Sequence, residues 1–229
     1  MGRFNEYKQE RNYENLQKGM YAGAGAYDIP ILMPVTDIAV TDWISFNYAK
    51  GHRKPERTGV NFFIDDYQFE RVWRFPEKYV GMLAKFGAVC TPDFSPYADF
   101  PKAVQVFQHY KKHWCGAYWQ EHGVKVIPTI TWSSPDTLEW AFDGEPVGGI
   151  VATSAVGMLR NDETRQWLFE GYAEMVKRLK PKQILWKGKI PKELEDDANS
   201  GLICRLPQHN DKWHKIDGGG QRGYNTDGS

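Results

Sequence analysis

Short apolar runs recur along the chain, and most are separated by a longer segment whose apolar residues return every three or four positions. The runs cover residues 29–35, 60–65, 87–91, 124–131, 149–154, 183–186 and 202–206. Most are continuous rather than alternating, as expected of strands covered on both faces in a parallel sheet. Pro30 and Pro34 weaken the first run, because proline cannot donate to a ladder. The intervening periodicity predicts helices over 69–86, 103–122 and 162–179. Pro76 interrupts the first of these, and Gly123 follows the second where a capping glycine belongs. The third opens on Asp162 and Glu163 and closes on Lys177, Arg178 and Lys180, matching the helix dipole. In the second helix, Val104, Phe107, Tyr110, Trp114 and Tyr118 mark the expected buried stripe.

Strand starts near residues 60, 87, 124, 149 and 183 fit repeated right-handed crossovers, which take about 30 residues each. The expected fold is α/β: a parallel (β/α) barrel or barrel-like sheet, incomplete if only the seven candidate strands form. A doubly wound sheet is the rival, but no GxGxxG follows an early strand. The expected organisation is an irregular N-terminal arm (1–28), a single barrel-like domain (29–206) and a polar, Gly-rich, flexible tail (207–229). Within that tail, 218–229 offers one Arg and one Tyr to an RGG-like single-strand binder, which is thin support.

Composition narrows the function classes. Twenty-nine basic and 29 acidic residues give a net charge of zero, which excludes a uniformly basic nucleic-acid coat or an acidic disordered chain. No run approaches the roughly 18–20 apolar residues of a membrane span, and the first residues are polar, so a soluble cytoplasmic protein with no membrane association is expected. Cys90, Cys115 and Cys204 are odd in number and far apart, without a CxxC pair. Neither a disulfide scaffold nor a zinc knuckle is supported, and a reducing compartment accounts for all three.

In parallel β/α folds, ligands gather outside the carboxyl ends of the strands. Those ends carry Asp65 and Asp66, then Asp93 and Ser95, then Thr131 and Trp132, then Ser154, and finally Trp186 and Lys187. Asp65 and Asp93 could hold Mg²⁺ or Mn²⁺ through oxygen ligands, or work as an acid/base pair with one raised pKa. Lys187 suits an anionic group, and Trp132 and Trp186 could stack on a sugar or base. Structural readings stand beside these: Asp66 and Asp99 as helix N-caps, and Ser133, Ser134 and Asp136 as caps of a helix over 137–142. His109 and His113 share a helix face, but Tyr110 stands where a metalloprotease helix needs Glu, and the flanking lysines favour a solvated face. The basic loop 50–57 and the acidic stretch 193–197 read as solvated surface.

FFIDDYQFERVW (62–73), TPDFSPYADFPKA (91–103), GAYWQEHGVKVIPTITWS (116–133), FDGEPVGGIVATSAVG (142–157) and GYAEMVKRLKPKQILWKG (171–188) occur in this order. Together they resemble the domain-of-unknown-function family numbered 4417, found in bacteria, phages and other mobile elements, over residues 30–206. The family has no established activity, so the resemblance implies no catalytic residue. It implies a phage or plasmid origin and work in a host bacterial cytoplasm.

The leading expectation is a phosphate-containing ligand, nucleotide or nucleic acid, bound at the strand-exit rim. Asp65, Asp93 and Lys187 are its candidate catalytic residues, Asp65 and Asp93 its candidate ligands for Mg or Mn, and Asp66, Ser95, Thr131, Trp132 and Ser154 its candidate binding residues. The alternative is a non-catalytic phage accessory or structural protein that engages a protein partner through some of its nine Trp and 12 Tyr. A carbohydrate hydrolase ranks last, because the rim offers Asp but no Glu.

Overall fold

The apolar runs do form strands, but the first strand of the parallel sheet is one that hydrophobic patterning passes over. The computed structural model describes residues 13–207. Gly23–Ala24 (β1) and Ile29–Pro30 (β2) make a short antiparallel hairpin. The expected strand over 29–35 therefore contributes two ladder residues, as its prolines require. The chain beyond it crosses beneath later strands: Val35 O accepts from Ile150 N at 2.8 Å, and Thr36 O accepts from Lys182 Nζ at 2.9 Å.

Asp42–Ser45 (β3), Thr58–Asn61 (β4), Ala88–Cys90 (β5) and Val126–Ile127 (β6) pair in that order, all parallel. Ile150–Ser154 (β7), Gln183–Lys187 (β8) and Ile203–Arg205 (β9) form a second parallel set. Pro128 explains the division. It faces β7, where its carbonyl accepts from Ala152 N at 2.8 Å and Ile130 N donates back to Ala152 O at 2.7 Å, but it has no N–H to extend that pairing into a ladder. The segment after β6 thus passes from one sheet to the other. The fold is mixed α/β with parallel sheets. No ladder joins β3 to β9 among the described residues, so a closed barrel is not shown.

Alternate residues of the strands face two environments. Trp43, Ala88, Cys90, Ile127, Ile150, Ala152 and Leu185 from both sheets meet in one cluster that includes Leu206. The opposite faces pack under helices: Val60 and Val89 with Trp73, Leu83 and Trp114, and Val151, Ile184 and Trp186 with Leu168 and Met175. Burial on both faces is why the strands lack polar alternation.

The helix expected over 69–86 is three pieces, Asp66–Phe69 (α1), Arg71–Arg74 (α2) and Pro76–Leu83 (α3), with the last break at Pro76. Lys102–Glu121 (α4) and Asp162–Leu179 (α5) match their expected spans closely. Glu195–Asn199 (α6) includes most of the acidic stretch, and its Asp197 accepts from Tyr172 Oη at 2.6 Å. Residues 135–139 form a 3₁₀ turn rather than the expected helix. No helix among the described residues is long and apolar enough to cross a membrane.

Two features of α4 correct the sequence reading. Val104 and Phe107 are partly exposed, whereas Gln105, His109, Lys112 and His113 are buried. His109 and His113 are therefore core residues, not a solvated face. The reason is pairing: Lys112 Nζ donates to Thr129 O (2.8 Å) and Glu145 Oε1 (2.9 Å), and both histidines find backbone carbonyls.

The N-terminal arm is tied down where it is described. Asn15 Nδ2 donates to Trp73 O at 2.7 Å, Trp114 Nε1 to Gly19 O at 2.9 Å, and Tyr21 Oη to Glu121 at 2.8 Å. Residues 1–12 of that arm, and the Gly-rich tail from 208 onward, lie outside the described residues.

Candidate functional site

The exits of β4, β5, β7 and β8 and the segment following β6 line one cleft of about 520 Å³. Asp65, Asp66, Asp93, Ser95, Thr131, Trp132, Ser154 and Lys187 all border it, so the structure brings together every residue singled out at the rim except Trp186. Trp186 is wholly buried, donates Nε1–H to Lys189 O at 3.2 Å, and cannot stack on a ligand. Parallel pairing is the cause of this convergence, because it sends successive strand ends the same way. Sequence reasoning missed Tyr97, Arg160 and Trp167, which also border the cleft. Arg160 precedes α5 by two residues and Trp167 lies in its second turn, positions that strand ends alone do not point to.

Asp93 is the residue whose environment is most unusual. It follows β5 in a stiff turn between Pro92 and Pro96, half-buried, with no hydrogen bond to its carboxyl among the described residues. Burial and the neighbouring Asp66 carboxylate push its pKa up to about 7, against a smaller opposing pull from Lys112. A carboxyl poised near neutrality can deliver or take a proton at physiological pH.

Asp66 is not the helix cap its position suggests. It is the first residue of α1, and its carboxylate reaches across to β5, accepting from Ser95 N at 3.0 Å and Ser95 Oγ at 3.1 Å. This pair clamps two strand exits together. Desolvation raises the Asp66 pKa, and the two Ser95 bonds oppose that shift. Asp65 is exposed and accepts from Gln68 Nε2 at 3.1 Å. The carboxylate that acts on Asp93 is thus Asp66, and no third carboxylate or imidazole converges with these acids into a metal-ligand group among the described residues.

Ser154 Oγ donates to Lys187 O at 3.4 Å and accepts from Val156 N at 3.0 Å, which ties the ends of β7 and β8. Thr131 is half-buried and its hydroxyl makes no hydrogen bond among the described residues. Asp99 and Ser134 do not cap helices either. Lys102 starts α4 after Pro101 without a side-chain cap, and Ser134 bonds Asp136, which pairs with Lys102 at 2.9 Å. Burial raises the thiol pKa values of Cys90 and Cys115, so neither is an activated nucleophile.

Trp132 forms one wall of the cleft, with Nε1–H donated to Trp167 O at 2.9 Å. Its indole packs against Gly171 of α5, where an added Cβ would come within 2.1 Å of Nε1. Gly171→Ala should therefore displace the indole and cost about 2 kcal/mol. Urea unfolding and Trp fluorescence would check this, and an unchanged midpoint would mean the wall is pliable.

The family model described as "Domain of unknown function (DUF4417)" matches residues 21–204. The chain belongs to the DUF4417 family. This DUF4417 protein is similar to the Gene 1 protein of Mycobacterium phage L5, 37% identical over 204 residues that cover 86% of this chain and 87% of the relative. It is also similar to the Gene 1 protein of Mycobacterium phage D29, 36% identical over 198 residues, 85% of this chain and 72% of that one. No solved structure matches this DUF4417 chain significantly. The cleft-lining stretches all fall inside the matched region.

Proposed function

We propose that the cleft binds, and through Asp93 processes, a phosphate-containing ligand, a nucleotide or a segment of nucleic acid, within the cytoplasm of a phage host. The observation that carries the reading is Asp93 itself: a carboxyl of raised pKa, unbonded, in a cleft that also presents Lys187 and Arg160. In this scheme Lys187 and Arg160 hold the phosphate charge. Thr131 supplies a hydroxyl and Ser95, whose hydroxyl proton goes to Asp66, an acceptor oxygen, while the exposed Tyr97 gives a base a face to lie on against the largely buried wall of Trp132. Asp93 moves the proton and Asp66 tunes it. In the alternative role, Asp65 and Asp93 are both ionised and hold Mg²⁺ or Mn²⁺, which takes most of its shell from water and ligand phosphate, and Asp93 then carries no proton. The cleft lining has three Asp and no Glu, which keeps carbohydrate hydrolysis last. A barrel-like curl of the two sheets is part of the same proposal, supported by the shared inner cluster.

The test is calorimetric titration of the full chain with inorganic phosphate, a nucleoside monophosphate and a short single-stranded oligonucleotide, each with and without Mg²⁺ or Mn²⁺. Lys187→Ala should weaken binding about tenfold, the equivalent of about 1.4 kcal/mol. Asp93→Ala should abolish any divalent-cation dependence. If none of the three ligands binds, the phosphate reading fails. A second reading, a protein-docking surface, draws on Tyr97 and Val156, which are exposed at the cleft edge.

A further inference from the structure

Away from the cleft, α4 presents His109 and His113 to the turn formed by residues 142–145, and Glu145 of that turn reaches back to them. All three side chains are buried, and one candidate ligand atom from each lies within 4.8 Å of the others. The hydrogen bonds to carbonyls fix one proton on each imidazole. Asp143 O and Pro30 O can only accept, so His109 Nε2 donates to the first (3.1 Å) and His113 Nδ1 to the second (2.8 Å). The remaining ring nitrogens, His109 Nδ1 and His113 Nε2, face inward beside a carboxylate, and the 2.9 Å contact of His113 Nε2 with Glu145 Oε1 needs either a proton or a metal ion between the two atoms. His109 Nδ1 and Glu145 Oε2 have no hydrogen-bond partner among the described residues, although both are buried. The two unpaired atoms and the His113–Glu145 contact converge in a dry interior, which a cation between them would satisfy at once.

We propose that His109, His113 and Glu145 form a binding site for a divalent transition metal ion, of which zinc is the best fit. Both histidines anchor their outer N–H on backbone carbonyls, the arrangement that orients metal-bound imidazoles. Four residues along a helix puts both on one face. Tetrahedral ligands at zinc distances sit about 3.4 Å apart, so binding would draw the three ligand atoms inward from their present spacing. Two imidazoles select against Mg²⁺ and Ca²⁺, which prefer oxygen. Lys112 holds Glu145 Oε1 at 2.9 Å and leaves Oε2 for the ion. Gly144, at φ +74°, lets the turn approach: a Cβ there would lie 2.6 Å from Pro30 O and 2.9 Å from His113 Nδ1.

The experiment uses the purified full chain, stripped with a chelator and titrated with Zn²⁺ and Co²⁺. One ion per chain is expected, retained through dialysis, with a rise in melting temperature. His109→Phe should lower the affinity at least tenfold, while Asp93→Asn, in the cleft, leaves it unchanged, so this site and the cleft reading fail separately. X-ray absorption of the zinc-loaded wild type should show two imidazoles and a carboxylate, which keeps the test decisive if His109→Phe does not fold. No retained ion, a different donor set, or wild-type affinity in folded His109→Phe would overturn the proposal.

Discussion

Lys112→Met is expected to lower the unfolding free energy of the chelator-treated protein by about 3–5 kcal/mol, the usual cost of removing one partner of a buried ion pair. The ammonium is wholly buried and donates to Thr129 O and Glu145 Oε1. Methionine keeps the stem and removes both donations. Glu145 would be left with His113 Nε2, 2.9 Å away, as its remaining partner. Burial alone would raise the Glu145 pKa, yet Lys112 and His113 hold it below the usual carboxylate range, so the carboxylate is charged when its partner goes. The control is Lys112→Met with Glu145→Met, which removes both charges and should recover more than half of the loss. Urea denaturation of the single and double variants measures this directly. A single variant within 1 kcal/mol (about one-fifth to one-third of that cost) of wild type would show that the interior is wet enough to solvate the orphaned carboxylate.

The second large effect is a pH dependence centred on Asp93. Its folded pKa, about 7, lies above the ordinary carboxyl value, so the folded protein holds this proton more tightly than the unfolded chain does. Stability from this group is therefore fully present below pH of about 4 and is lost as pH rises toward about 7. At full burial that span corresponds to about 4 kcal/mol. The cleft is open to water, so a change on the order of 2 kcal/mol is expected. The groups that face it are Asp66, which raises its pKa, and Lys112, which lowers it. Asp93→Asn should flatten that part of the pH–stability curve and make the protein more stable than wild type at pH 8. An unchanged curve would mean that the carboxyl is solvated, and the acid/base role would go with it.

These effects show which parts of the molecule are written in local patterning. Two-sided burial made the strands at 58–61, 88–90, 150–154 and 183–187 legible as apolar runs, and parallel pairing then placed Asp65, Asp93, Thr131, Ser154 and Lys187 around one opening. Asp42–Ser45 escaped notice because only Trp43 and Ile44 are buried between a half-buried Asp and Ser. The side chains of α4 misled for a different reason. A Lys–His pair looks solvated until its partners are known, and Glu145 lies 32 residues beyond His113, outside any helical period. Asp66 likewise resembled a cap because its true partner, Ser95, is 29 residues away. Periodicity reports what an element buries, and it is silent about who meets whom across the fold.

Pro128 adds a mechanical consequence. Near Pro128, two amide bonds, Ala152 N to Pro128 O and Ile130 N to Ala152 O, bridge the four-strand and three-strand sets. Thr131 and Trp132 follow immediately on that seam, with Asp93 on one side of it and Ser154 and Lys187 on the other. Acid and ammonium are thus carried by different strand sets, and the gap between them is set by how those sets meet at this seam and across their shared inner cluster.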